Sequence, residues 1–234
     1  LAARALLTDG YYARDNARGA VAYMLQRLPA GAAILMDNDD WALRYYLEGA
    51  SLRESYLDGT QPASQIESRL QAFLQETTPE LEAPQTAALV KWNQGETDHR
   101  NLLPYLLEQQ GALVETHDLA GYTVFIYDLD QDPPALVERE VDLRVGPLRL
   151  LRATVEQEAP SDEALTMALS WQLESSIDRD SQVSLSLLDE RGRRLASIDR
   201  AITDSLGRGT SQWAVSQQVV GYYVLNLPAG AAPI

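Results

Sequence analysis

The sequence predicts an α/β domain over residues 1–134 followed by an all-β domain over residues 135–234. Three observations carry this. In the first part, apolar residues recur at helical spacing in alternation with short β-forming runs. In the second part they alternate with polar residues at period two. Between the two lies Asp130-Gln131-Asp132-Pro133-Pro134, a polar, proline-containing stretch that reads as a linker. Charge changes at the same place: nine basic and twenty acidic residues precede position 135, and ten basic and fourteen acidic follow.

The elements of the first part follow in order. Val21, Met24, Leu25 and Leu28 draw one apolar stripe along a helix that starts near Asp15 and is stopped by Pro29-Ala30-Gly31. Ala32 to Met36 reads as a buried strand. Asp39 is expected to cap a short helix, Asp40 to Glu48, which ends at Gly49, and Leu52 to Leu57 is a second strand. Ser64 and Glu67 have capping-box spacing before Ile66, Leu70, Phe73 and Leu74, again one helical face. Ala87 to Trp92 is the third strand. A helix from Leu102 to Gln110 tolerates Pro104 in its first turn. Leu113 to Thr116 and Tyr122 to Tyr127 close the domain as a hairpin. Strand and helix in alternation imply a three-layer, Rossmann-like α/β domain with a mainly parallel sheet.

The second part reads as an antiparallel β-sandwich. Leu165, Met167, Leu169, Trp171 and Leu173 alternate with Thr166, Ala168, Ser170 and Gln172, so one face is expected in the core and the other in solvent. Val183, Leu185 and Leu187 alternate with serines, and Asp189-Glu190-Arg191-Gly192 turns them into Leu195 to Ile198. Val219 to Leu227 is a further strand. Trp171 is in phase with Leu169 and Leu173 and is expected in the core. One of Tyr222 and Tyr223 is expected to face water.

Composition limits function. The 234 residues are 45% hydrophobic, enough for packed cores, yet no apolar run approaches the roughly 18 to 20 residues that span a bilayer. Formal charge is −15, so nucleic acid is not an expected partner. Without cysteine and with only His99 and His117, the chain offers no thiolate nucleophile and no cysteine- or histidine-rich metal site. No metal or cofactor is expected. The chain starts at Leu1 with neither Met nor a signal-like segment, and is expected to be a piece of a longer polypeptide.

Candidate ligand-binding residues cluster after two strands. Asp37, Asp39, Asp40 and Trp41 sit at the carboxyl end of the first strand, the edge where open α/β sheets bind ligands. Three carboxylates there suit a divalent cation or paired acid–base work. They equally suit a structural role, with Asp39 as cap, Asp40 at the helix start and Asp37 in a loop. Trp92 and Asn93, followed by Gln94-Gly95, leave the third strand at the same edge. An indole beside carboxylates and amides is how proteins grip sugars, although a tryptophan there also serves to cover the sheet end. His99, near Asp98 and Glu96, is a titratable loop residue. The sequence has no G-x-S-x-G elbow, no phosphate-loop motif and no H-E-x-x-H helix.

Several phrases resemble one family. Tyr12-Ala13-Arg14-Asp15, Arg18-Gly19-Ala20-Val21-Ala22-Tyr23, Leu28-Pro29-Ala30-Gly31-Ala32-Ala33-Ile34-Leu35 and Trp41-Ala42-Leu43-Arg44-Tyr45-Tyr46 resemble the soluble segment that follows the last membrane helix of GT-C-type glycosyltransferases, the polyprenyl-phosphate-sugar-dependent enzymes related to protein mannosyltransferases. Leu169-Ser170-Trp171-Gln172, Val183 to Gly192, Trp213 and Tyr223 to Gly230 resemble the β-sandwich appended to bacterial members. The resemblance implies an extracytoplasmic, non-catalytic region of a cell-membrane enzyme that assists acceptor recognition or positioning. The family's catalytic carboxylate would lie upstream of Leu1, so no catalytic residue is assigned here. Implied partners are the membrane-embedded part of the same polypeptide and a glycan or glycosylation acceptor. The sandwich, jelly-roll or immunoglobulin-like, would lack its last strand. Two alternatives stand beside this reading: a free-standing carbohydrate-binding protein, and a soluble hydrolase or transferase using the Asp37 to Asp40 cluster.

Overall fold

The computed structural model describes residues 16–77, 83–93, 97–130, 135–156, 164–189 and 191–226. Tyr12 to Asp15, Gln94 to Glu96, the linker beyond Asp130 and the stretch from residue 227, where the sandwich was expected to break off before its last strand, lie outside them. The protein is mixed α/β and mostly sheet, with four α-helices and eleven strands among the described residues. These fall into two compact units. The first comprises residues 16–57, 68–93 and 114–130; the second comprises 58–67, 97–113 and 135–226.

The first unit is built on a five-stranded sheet. Its strands are β1 (Ala33–Met36), β2 (Arg53–Tyr56), β3 (Thr86–Trp92), β4 (Ala112–Leu119) and β5 (Tyr122–Asp128), in the order β2-β1-β3-β5-β4. β1 runs parallel to β2 and β3, whereas β3 and β5 are antiparallel. The sheet is therefore mixed, not mainly parallel as expected. Connection length is the reason: helical crossovers join β1, β2 and β3, whereas a two-residue turn at Ala120-Gly121 joins β4 to β5 and leaves no chain for a crossover.

Helices flank this sheet. α1 (Ala17–Arg27) is capped by Asn16, whose side chain accepts from the Gly19 N–H at 2.9 Å. α2 (Trp41–Leu47) is capped by Asp40, one residue later than expected, because Asp40 is extended and its carboxylate reaches the next two amides. Ala20, Val21 and Met24 of α1 and Leu43 and Leu47 of α2 bury against Ile34, Met36, Ala88, Val90, Val124 and Ile126, one face of the sheet. α3 (Ala63–Gln75) begins one residue before Ser64, which is thus inside the first turn and cannot be the N-cap; the Pro62 carbonyl accepts the first helical bonds instead. Arg53 pairs in register with Ala33 and so lies on the opposite face from Ile34. Its guanidinium donates to the Phe73 carbonyl of α3 at 2.6 Å. α3 therefore meets that opposite face.

The second unit contains a four-stranded antiparallel sheet and a two-stranded one. β6 (Leu136–Val145), β7 (Leu148–Glu156), β8 (Ala164–Leu173) and β11 (Gln218–Asn226) form the first, in the order β11-β8-β7-β6. β9 (Gln182–Leu188) and β10 (Arg194–Ala201) form the second. Leu169, Trp171, Leu173, Val219 and Tyr223 pack with Ile202 and Trp213, and Val183, Leu185, Leu187 and Ile198 of the smaller sheet pack against them. Trp171 is a core residue, as its phase predicts.

The expectation of a solvated second face on β8 does not hold. Thr166, Ala168 and Ser170 are buried, as are Leu169, Trp171 and Leu173 of the alternating set. Tyr222 pairs in register with Ala168 and shares that face. α4 (Leu102–Glu108), whose residues are all buried, packs on β11 and β8, with the Tyr105 ring 4.9 Å from that of Tyr222. Both tyrosines are consequently inside, Tyr223 toward the intersheet core and Tyr222 beneath the helix. Small side chains on β8, which read as a wet face, are what permit a helix to approach a sheet closely.

Asp98 holds α4 in place. Asn101, at the N-cap position, is in the left-handed region at φ 61° and makes no side-chain cap. The fully buried Asp98 carboxylate accepts instead from the Leu102 and Leu103 N–H groups, each at 2.8 Å. Pro104, next in line, has no N–H to satisfy. Gly59 lies so close to this turn that a Cβ there would stand 2.4 Å from the Asp98 Cα.

Candidate functional site

The residues singled out after β1 and β3 do come to one edge of the first unit. Asp37 is buried, and its Oδ1 accepts the Trp92 N–H at 3.0 Å, tying the ends of the two strands together. Asp40 Oδ1 accepts the Ala42 and Leu43 N–H groups at 2.8 and 3.4 Å, and the Tyr122 hydroxyl donates to its Oδ2. Asp39 is exposed and pairs with Arg44 at 2.9 Å. Each carboxylate is thus engaged in holding a local element. No group of three or more acidic, histidine or cysteine side chains among the described residues is placed to share a metal ion.

Trp92 is half-buried and packs against the core of the first unit, so its indole does not form an open platform. The Asn93 N–H donates to the Gly121 carbonyl at 2.9 Å. His99 belongs to the second unit, where its ring lies about 3 Å from the position of a Cβ on Gly207 and its carbonyl accepts from the Thr203 hydroxyl at 3.0 Å.

Trp41 behaves differently from the rest. It is 78% exposed, and Tyr45, one turn along α2, is 64% exposed. Leu43 and Leu47 take the buried side of this seven-residue helix, which leaves the two aromatics, Arg44 and Glu48 on the open side. Gly49 (φ +81°) ends the helix in a backbone conformation that favours glycine and returns the chain toward β2. The result is a groove of about 580 Å³ with Trp41, Tyr45 and Leu52 as apolar walls and Arg44, Glu48 and Glu54 as its polar rim. That volume falls within the roughly 300 to 1,000 Å³ of small-ligand pockets. A tryptophan left in water forgoes on the order of 3 kcal/mol of burial, so packing does not account for its place here.

Arg44 stands between two acids, Asp39 at 2.9 Å and Glu54 at 3.9 Å, which neutralise it and leave the rim net acidic. An exposed aromatic wall with hydrogen-bonding groups at its margin suits a ligand that has apolar C–H faces and many hydroxyls. It does not suit a phosphate or a polyanion. Tyr45, Arg44, Glu48 and Glu54 were not singled out from the sequence. The available signal was the i, i+4 spacing of Trp41 and Tyr45 with Leu43 and Leu47 between and after them, which puts both aromatics on one side of a short helix.

The chain matches no protein-family model, no curated protein and no solved structure. Among the described residues, no helix is long and apolar enough to cross a membrane.

Proposed function

We propose that this chain is the non-catalytic, extracytoplasmic region of a membrane glycosyltransferase and that its first unit holds a glycan or glycosylation acceptor in the Trp41–Tyr45 groove. In this reading the first unit is Rossmann-like, the second is a β-sandwich, and glycosyl transfer takes place in the membrane-embedded part of the same polypeptide. The observation that carries it is the pair of exposed aromatic rings walling a groove with an acidic, hydrogen-bonding rim. Sugars stack their C–H faces on such rings while their hydroxyls bond to the margin. The engagement of Asp37, Asp39 and Asp40 in strand ties, helix capping and an ion pair favours binding over catalysis at that edge. The resemblance of the quoted phrases to glycosyltransferase tails supplies the context.

Calorimetric titration with a panel of neutral oligosaccharides tests the binding role. Saturable heat in the wild type, with affinity weakened in Trp41→Ala, is the expected result, and the absence of saturable heat across the panel overturns it. Reading the gene upstream of Leu1 tests the context: several apolar segments of about 20 residues are expected, and their absence removes the membrane-enzyme part of the proposal.

A further inference from the structure

The groove carries information about the size and charge of what it accepts. Trp41 and Tyr45 are four residues apart on one helix, so they lie on the same side with an axial offset of about 6 Å. That offset is close to the advance of one hexose along an extended oligosaccharide. Each ring can therefore face a different sugar unit, which makes two adjacent subsites instead of one. The groove's volume of about 580 Å³ accommodates more than a single monosaccharide.

Charge narrows the ligand further. Among the described residues Arg44 is the one basic side chain on the rim, and Asp39 and Glu54 flank it, while Glu48 adds another carboxylate. A uronate or phosphorylated sugar would meet net negative charge and an already paired guanidinium. A neutral sugar meets hydrogen-bond acceptors, and a protonated amino sugar meets acids.

We infer that the groove selects a neutral or amine-bearing oligosaccharide of at least two units, with one ring on Trp41 and the next on Tyr45, and that Glu48 helps to exclude anionic sugars. This rests on the reading of the groove as a glycan site. The second stacked ring should raise affinity by up to about tenfold.

The test is calorimetry on the intact chain with matched gluco-, manno-, galacto- and N-acetylglucosamine mono-, di- and trisaccharides, their amino counterparts and digalacturonate. The expected result is that at least one disaccharide binds several-fold to tenfold tighter than its monosaccharide. Tyr45→Ala should reduce that disaccharide to the monosaccharide's affinity without changing the latter, and Trp41→Ala should weaken both. Digalacturonate should bind worst and gain affinity in Glu48→Gln. Equal affinity for mono- and disaccharide, indifference to Tyr45→Ala, or digalacturonate binding as tightly as neutral sugars each overturns the inference while leaving a glycan site in place. Absence of binding by every saccharide overturns the glycan reading itself. Both aromatic residues are largely exposed, so unchanged circular dichroism of the variants separates lost contacts from lost folding.

Discussion

Asp98→Ala is expected to destabilise the second unit severely. Two backbone N–H groups, of Leu102 and Leu103, donate to this carboxylate at 2.8 Å in a fully buried setting. Hydrogen bonds to a charged group contribute about 1.5 to 3 kcal/mol each, and alanine would leave both donors buried without an acceptor. The expected loss is about 3 to 6 kcal/mol, a large part of the roughly 5 to 15 kcal/mol that holds a domain together. Asp98→Asn retains one carbonyl oxygen and can keep one of the two bonds, so about half that loss is expected. Urea unfolding followed by tryptophan fluorescence measures both, because Trp171 and Trp213 are buried in this unit. Hydrogen exchange at the Leu102 and Leu103 amides reads the site itself. A loss below about 1 kcal/mol for Asp98→Ala, or equal losses for the two variants, would refute the role assigned to this carboxylate.

Gly59→Ala brings a Cβ to 2.4 Å from the Asp98 Cα, so backbone must move; a loss of about 2 kcal/mol or more in the same unfolding assay is expected. Glu156 is held above the ordinary glutamate value of 4.5 by burial, which outweighs the two bonds it accepts from Thr166. The folded chain therefore holds this proton more tightly than the unfolded one. Its stabilising contribution is complete below about pH 4.5 and is lost as pH rises through the raised value. Glu156→Gln should flatten that slope and raise the midpoint of thermal unfolding at pH 7, and a variant no more stable than wild type at pH 7 would contradict it. Trp41→Ala should leave stability within about 0.5 kcal/mol, since the side chain is mostly in water.

Much of the first unit was legible because local pattern decides it. The apolar stripe of α1, apart from Leu25, which faces solvent, the continuous apolar run of β1 and the hairpin at Gly121 occur where spacing and turn chemistry place them. The cap of α2 was legible to within a residue, since Asp39 and Asp40 are chemically equal and only backbone geometry chooses between them. The β6–β7 hairpin escaped notice because its first strand, from Glu140 to Arg144, alternates charged residues with valine and leucine that remain exposed. The fate of Tyr222 was not legible at all. It depends on a helix more than a hundred residues earlier, and nothing near Tyr222 encodes that partner. The same limit applied to the groove: Trp41 stood out by itself, but Glu54 reaches the rim only through the parallel pairing of β1 with β2.

The central claim is that Trp41 is a sugar-stacking residue, and the intrinsic fluorescence of the intact chain under titration with neutral di- and trisaccharides tests it most directly. A saturable change in emission is expected that is absent in Trp41→Ala while the other three tryptophans remain. Emission that does not respond to any of these sugars, or a response that Trp41→Ala retains, would contradict it.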